Sequence, residues 1–247
     1  MLRATLMNNR HEPGFRWRGA EIARIEGLSD AVFAFAVTLL VVSLEVPKTF
    51  NELAELMRGL MPFAISFALL MQVWHEQYRY FRRYNLQDSP SILLNCVLLF
   101  VVLFYVYPLK FLWTYLLNTW IAHGCPPQVQ LPNGAVESMI EPHQLAQLMS
   151  IFSGGYLAVS CIFLLLFWRA LRKREQLELD AREIHLTKVS IGAAAIQAFA
   201  AAASLALVLL GGPRPGGWAG VIYPVLLTPG FTIYYSIMGA KARRLPS

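Results

Sequence analysis

In this chain of 247 residues, the side chains best placed to act together lie in one segment, Arg24 to Pro47, RIEGLSDAVFAFAVTLLVVSLEVP. It opens with three ionisable groups, Arg24, Glu26 and Asp30, and Asp30 already stands inside an apolar run. If that run crosses a bilayer, an unpaired carboxylate there costs at least ~2.5–3.5 kcal/mol on insertion scales. Asp30 is therefore expected to have a partner, either Arg24 from a neighbouring helix or the Ser29 hydroxyl. Arg24 and Asp30 are six residues apart, so on one helix they lie on different faces, which favours pairing between helices or subunits. Two roles stand open for Ser29 and Asp30. They can cap or scaffold the first membrane turn, as their types prefer, or they can touch a transported ion.

Past Asp30, the same helix presents Phe35, Thr38, Leu39 and Val42 at positions i, i+3, i+4 and i+7. This stripe is apolar except for one hydroxyl. It reads as a packing face, with Thr38 bonded back to its own helix, or as a pore lining. In the second case an apolar constriction gates by dewetting, and copies of Thr38 form a ring of hydroxyls. Other chemistry is sparse. His75 and Glu76 are adjacent and point about 100° apart on a helix, which suits an interfacial polar pair better than a shared metal. His123, His143 and His185 fall in links. The sequence contains no HExxH, GxSxG, Walker or Rossmann pattern, so neither an enzyme nor a cofactor site is expected.

The elements that must position these residues are membrane spans. Apolar residues make up 56% of the chain and charged residues 15%, against ~45–50% and ~25% in soluble domains. Charge-poor runs at 29–46, 56–78, 90–117, 146–168, 187–210 and 217–238 each approach the ~20 residues that cross a bilayer as a helix. None shows the dyad alternation of barrel strands. An all-α protein of six spans is expected, as one domain over residues 1–247.

The net charge of +6 encodes topology. Of 21 Lys and Arg, seventeen fall in the N-terminus (Arg3, Arg10, Arg16, Arg18, Arg24), the second link (Arg79, Arg82, Arg83), the fourth (Arg169, Arg172, Lys173, Arg174, Arg182, Lys188) and the tail (Lys241, Arg243, Arg244). The first, third and fifth links hold only Lys48, Arg58 and Arg214. By the positive-inside rule both termini are cytoplasmic. The partner implied is the lipid bilayer rather than nucleic acid. Residues 1–28 hold no apolar stretch of signal-peptide type, so span 1 is expected to direct its own insertion.

Residues 1–18 are expected to be flexible, and residues 19–28 to be helical. The outer link 118–145 is long and rich in Pro and Gly, and the inner link 169–186 has the alternating charges of a helical extension. Span 3 continues past Pro108 to Lys110, whose stem can snorkel to the outer interface. Span 5 is built of small residues that allow close helix approach, and span 6 is expected to bend at Pro224 and Pro229. Trp74, Tyr78, Tyr80, Trp113, Trp120, Trp168 and Trp218 suit interface anchors. Cys96, Cys125 and Cys161 read as small buried hydrophobes.

The segment RIEGLSDAVFAFAVTLLVVSLEVP resembles the Arg-x-x-x-Phe-Ser-Asp signature of the transmembrane protein 175 family, the lysosomal and prokaryotic potassium channels. The likeness continues through FRRYNLQDSPSILLNCVLLFVVLFYVYPLKFL and covers roughly residues 24–115. The resemblance implies a homotetramer in a prokaryotic plasma membrane, with four copies of span 1 lining a potassium pore that lacks a carbonyl filter. It places Phe35 at the constriction, with Leu39 and Val42 in the following turns, Thr38 at a hydroxyl position linked to potassium preference, and Arg24, Ser29 and Asp30 in a scaffolding cluster. No metal is implied beyond transient potassium. The chain departs from the pattern at Leu28, where the family has Phe, at the bulkier Phe35, and at WHEQYRYF, where paired histidines are not matched. The alternative is a secondary transporter, proton-coupled through Asp30 or Glu76, which predicts broken helices around a midplane site.

Overall fold

Backbone polar groups inside a hydrocarbon layer have no water to bond, so a chain this apolar closes its hydrogen bonds within helices. The computed structural model describes residues 15–19, 22–42, 47–121, 128–130, 136–211 and 216–242. The expectations for residues 1–14, for His123, Cys125 and Arg214, and for Arg243 and Arg244 lie outside them. The helices are α1 (Arg24–Val42), α2 (Phe50–Arg58), α3 (Leu60–Tyr84), α4 (Ser89–Ile121), α5 (Pro142–Arg172), α6 (Ala181–Gly211) and α7 (Gly216–Ala242). Five of these, α1 and α4 to α7, are long and apolar enough to cross a membrane. Helix α3 has 25 residues, enough to span, but Glu76, Arg79, Arg82 and Arg83 crowd its second half.

Several element boundaries differ from the sequence expectation for local reasons. Helix α3 runs to Tyr84 rather than 78, because nothing stops it before Asn85, whose φ of 49° is left-handed. Asn tolerates that region better than most residues. Helix α1 starts at Arg24, not at 19. Between α5 and α6 the link turns rather than continuing a helix, with Glu178 at a φ of 46°. In the outer link, α4 persists to Ile121 and a two-stranded antiparallel hairpin pairs Gln128 with Ser138. Helix α7 continues through Pro224 and Pro229. Cys96 is exposed rather than buried. Tyr80 is fully buried, so it is a core residue and not an interface anchor.

The segment Phe15–Gly19 belongs to the core, against the expectation of a flexible start. The Phe15 ring is inaccessible and stands edge-on to Tyr84 at 5.4 Å, with the Arg83 guanidinium 4.9 Å from its centroid. Arg18 forms a salt bridge of 2.7 Å to the buried Glu183 at the start of α6, and the Arg16 amide donates to the same carboxylate at 2.8 Å. The Arg18 and Gly19 amides donate to the Arg82 carbonyl at 3.0 and 3.1 Å. The N-terminal segment, the end of α3 and the α5–α6 link thus share one end of the bundle. The end of α7 joins them through His185 Nε2 and the Met238 carbonyl, 3.1 Å apart.

Inside the bundle two polar relays cross helices. Gln77 of α3 donates to Asn95 of α4 at 3.2 Å, and Asn95 donates to Ser29 of α1 at 2.9 Å. All three are buried. In the other half, Ser153 of α5 and Ser204 of α6 are 2.9 Å apart, and the Tyr223 hydroxyl of α7 donates to Ser153. Glycine is required at Gly155 of α5, where the Tyr105 ring leaves no room for a Cβ.

Removing the centre of the first relay leaves the buried Gln77 amide without its partner, at about 1–3 kcal/mol for an unsatisfied group, and opens a void beside Ser29, which keeps its bond to the Ile25 carbonyl. Asn95→Ala is expected to cost more than about 2 kcal/mol in equilibrium unfolding in detergent. Ser66→Ala is the comparison, because the buried Ser66 hydroxyl bonds only to the Pro62 carbonyl of its own helix, at 2.8 Å, and should cost less than about 1 kcal/mol. Equal losses for the two variants would show that the relay does not hold the first three long helices together.

Candidate functional site

Helix α1 packs with one face and leaves the other open. Phe33, Ala36 and Leu40 are 2%, 0% and 1% exposed, and Glu26 and Ser29 lie on the same side. These residues meet α3 and α4. The opposite face carries Arg24, Leu28, Ala31, Phe35, Thr38 and Val42, all exposed. Phe35 is 55% and Val42 69% exposed, and Leu39 is half-buried at the edge of the stripe. A spacing of 3.6 residues per turn accounts for both faces, since i+7 returns nearly to the start.

The structure brings some of the sequence candidates together and separates others. Ser29 Oγ donates to the Ile25 carbonyl at 2.7 Å and receives the Asn95 amide, so it is a scaffold group and does not bond Asp30. Asp30 instead accepts the Trp74 indole N–H at 2.8 Å. Trp74 stacks on Tyr78, with centroids 5.6 Å apart, and the Arg82 guanidinium lies 5.4 Å from the Tyr78 ring. Arg82 also reaches Glu26 at 3.5 Å and donates to the Gly19 carbonyl at 2.9 Å. The N-terminal end of α1 is therefore fastened twice to α3, through Asp30 and through Glu26. Arg24 stands on the exposed stripe and forms no ion pair within the described residues.

Thr38 Oγ1 donates to the Ala34 carbonyl at 3.0 Å while remaining exposed. Its single proton is spent inside the helix, and the oxygen lone pairs face outward, where they can accept or coordinate. Phe35 lies three residues, about 4.5 Å of helix rise, toward the N-terminal end. At the C-terminal end of α1, the Lys110 ammonium is 3.5 Å from the Leu40 carbonyl, where the helix dipole favours a cation. Glu76 pairs with Arg79 at 3.1 Å and His75 is exposed. Among the described residues no group of three His, Cys, Asp or Glu side chains could hold a metal.

Sequence reasoning missed Trp74 as the partner of Asp30, and it missed Gln77 and Asn95. For the last two a signal existed, because an amide inside an apolar run needs a partner in the bundle. Trp74 gave no such signal, since an indole at a span end has an ordinary place at the interface.

A family model described as Endosomal/lysosomal potassium channel TMEM175 matches residues 24–108. A protein of Marivirga tractuosa named as a potassium channel is 38% identical over 246 residues, covering 94% of each chain. A potassium channel of Chamaesiphon minutus is 28% identical over 152 residues, 58% of this chain and 63% of its own length. A crystal structure of a variant of the potassium channel MtTMEM175, in complex with a nanobody–MBP fusion protein, matches with a TM-score of 0.75. The two are 37% identical, over 94% of this chain and 97% of that one.

The bond between Asp30 and Trp74 is charge-assisted, a class worth about 1.5–3 kcal/mol. Trp74→Phe keeps an aromatic ring against Tyr78 and removes the donor. In a double-mutant cycle with Asp30→Ala, unfolding in detergent should show a coupling of at least about 1 kcal/mol. A coupling near zero would mean that Asp30 is held by something other than Trp74.

Proposed function

The chain belongs to the family of the endosomal/lysosomal potassium channel TMEM175, and on that premise we propose that it is a potassium-selective channel. It is a multi-pass integral membrane protein. Four copies, with both termini cytoplasmic and six spans each, place α1 around a central pore in a prokaryotic plasma membrane. The observation that carries this reading is the open face of α1. A helix packed on one side by Ser29, Phe33, Ala36 and Leu40 presents Phe35, the Thr38 hydroxyl and Val42 on the other, with Arg24 at the end of the same stripe. Such a face suits an aqueous axis shared by several copies better than it suits acyl chains. One copy alone offers too few faces to enclose an ion.

In this assembly Phe35 forms the apolar constriction, Leu39 and Val42 line the next turns, and Thr38 supplies a ring of hydroxyl oxygens. Arg24 of one copy, exposed and without an ion pair among the described residues, meets the exposed Asp30 of the next, joining the Trp74 indole there. A secondary transporter would need an interrupted helix at its binding site. Helices α1 and α3 to α7 run unbroken, which favours the channel.

Thr38→Val preserves shape and removes the oxygen, so it should leave assembly intact and lower potassium-over-sodium selectivity. Phe35→Ala should widen the constriction and raise leak of both ions. Reversal potentials under bi-ionic potassium and sodium read both effects. An unchanged potential for Thr38→Val, with normal assembly, removes Thr38 from selectivity.

Topology has its own test. In a cysteine-free background, Glu137→Cys should label with an impermeant thiol reagent only from outside, and Arg174→Cys only from inside. Reactivity of Glu137→Cys from the cytoplasmic side alone would overturn the orientation.

A further inference from the structure

Helix α1 packs on α3 and α4 and on no other element among the described residues, and α3 and α4 pack on each other. The three form a wedge with α1 at its edge. With four copies set around α1, the α3 flank of each wedge turns toward the α4 flank of the next, because a closed ring joins unlike faces.

The two flanks differ in relief. On α4, Leu93, Val97, Phe100, Phe104, Tyr107 and Phe111 are exposed, Phe100 and Phe104 at 71% each. Their spacing alternates four and three residues, the repeat that keeps one seam toward a partner helix. The opposite side of α4 holds the buried Asn95, Val102 and Val106. On α3 the exposed line is Met61, Ala64, Ala68, Gln72 and His75, again three or four residues apart. Its two alanines leave a hollow between Met61 and Gln72.

Depth matches knob to hollow. Helices α3 and α4 are joined by residues 85–88 and run antiparallel, and the Gln77–Asn95 bond sets those two side chains level. Phe104 lies nine residues beyond Asn95 and Ala68 nine before Gln77, so both stand about 13–14 Å from the relay. Tyr107 is level with the turn that holds Ala64. Rotation about an axis normal to the membrane leaves depth unchanged, so Phe104 of one copy meets Ala68 of the next. Helix association in lipid depends on such packing, whereas acyl chains cover either flank without a match of size. Charge favours the same order of copies. Asp30 lies on the α3 side of α1, bonded to Trp74, and the rotation that docks α3 on α4 carries it toward the exposed Arg24 of the neighbouring copy.

We infer that copies of this chain meet through α4 of one and α3 of the next, with Phe104 and Tyr107 seated over Ala68 and Ala64. The inference rests on the assembly around α1 proposed above and adds which surfaces join.

The test is cross-linking of the full-length protein in membranes, in a cysteine-free background. Two differently tagged chains, one with Phe104→Cys and one with Ala68→Cys, are co-expressed and treated with a short bis-methanethiosulfonate reagent. A covalent pair carrying both tags is expected, since a link within one chain cannot join the tags. Ala68→Cys paired with Ile233→Cys, exposed on α7, should give none. Size supplies a second measurement. Ala68→Phe should lower the assembled fraction in native mass spectrometry about tenfold, and Phe104→Ala in the same chain should restore most of it. Four-copy assemblies that link Ala68→Cys to Ile233→Cys and not to Phe104→Cys overturn the interface and leave the channel reading standing. An Ala68→Phe defect that Phe104→Ala does not relieve has the same meaning. Wild-type chains that remain single overturn both.

Discussion

The rotation of α1 about its own axis decides which residues it offers outward, and the buried relay from Gln77 through Asn95 to Ser29 fixes that rotation. Dispersion and apolar burial discriminate poorly among rotations of a helix rich in Ala, Val and Leu, because most faces are about equally greasy. An amide pair is different. Turning α1 by one residue, 100°, would take the Ser29 hydroxyl away from Asn95 and leave the buried Asn95 amide donor without its partner in a medium that offers no water. The same rotation would carry Thr38 off the open face. The polar core thus sets an alignment that the apolar core alone leaves free.

The end of the bundle where Phe15–Gly19 docks depends on charges that are tolerable only in pairs. Glu183 is buried and faces Arg18; Glu26 is buried and faces Arg82. A buried ion with its partner removed is strongly destabilising, so these contacts bind Phe15–Gly19, α1, α3 and α6 into one unit at that end. Asp88, in the link before α4, belongs to the same system. Burial pushes its carboxyl up, but the Ser91 hydroxyl, Arg169 and Lys173 outweigh this and hold it below the usual carboxylate range. A depressed carboxyl contributes stability above the ordinary Asp pKa of about 3.9 and loses it as pH falls through the folded value. This end of the bundle is therefore expected to loosen first in acid.

The long apolar helices were legible in the sequence because lipid demands length and hydropathy, and both survive in a single chain read alone. Helix α3 shows where that signal fails. Its apolar run ends at about 78, yet the helix continues through Arg79, Arg82 and Arg83 to Tyr84 because those side chains find Glu26, Gly19, Ser190 and Phe15. Hydropathy counts them as a stop; the backbone does not. The docking of Phe15 was illegible for a related reason. An aromatic residue in a polar stretch acquires meaning only from Tyr84 and Arg83, some seventy residues away. The stripe on α1 was legible in spacing, but its openness was not, because the same period describes a packing face. Only the positions of α3 and α4 decide between the two.

For Thr38 the two readings of the sequence turn out to be compatible. A threonine that donates to its own helix carbonyl suits a packing face, since the hydroxyl is then internally satisfied. A cation has no use for that proton; it needs the lone pairs, and the back-bond turns those outward while fixing the rotamer. In the proposed assembly four such oxygens cannot replace a whole hydration shell as a carbonyl filter does. They can supplement the waters an ion retains as it nears an apolar ring of Phe35. Potassium, larger and holding its shell more weakly than sodium, gives up those waters at lower cost. Partial compensation then favours it, by less than a full cage would. The selectivity of such a pore would come from how few waters the constriction admits, and so from the rotation of α1 that Asn95 fixes.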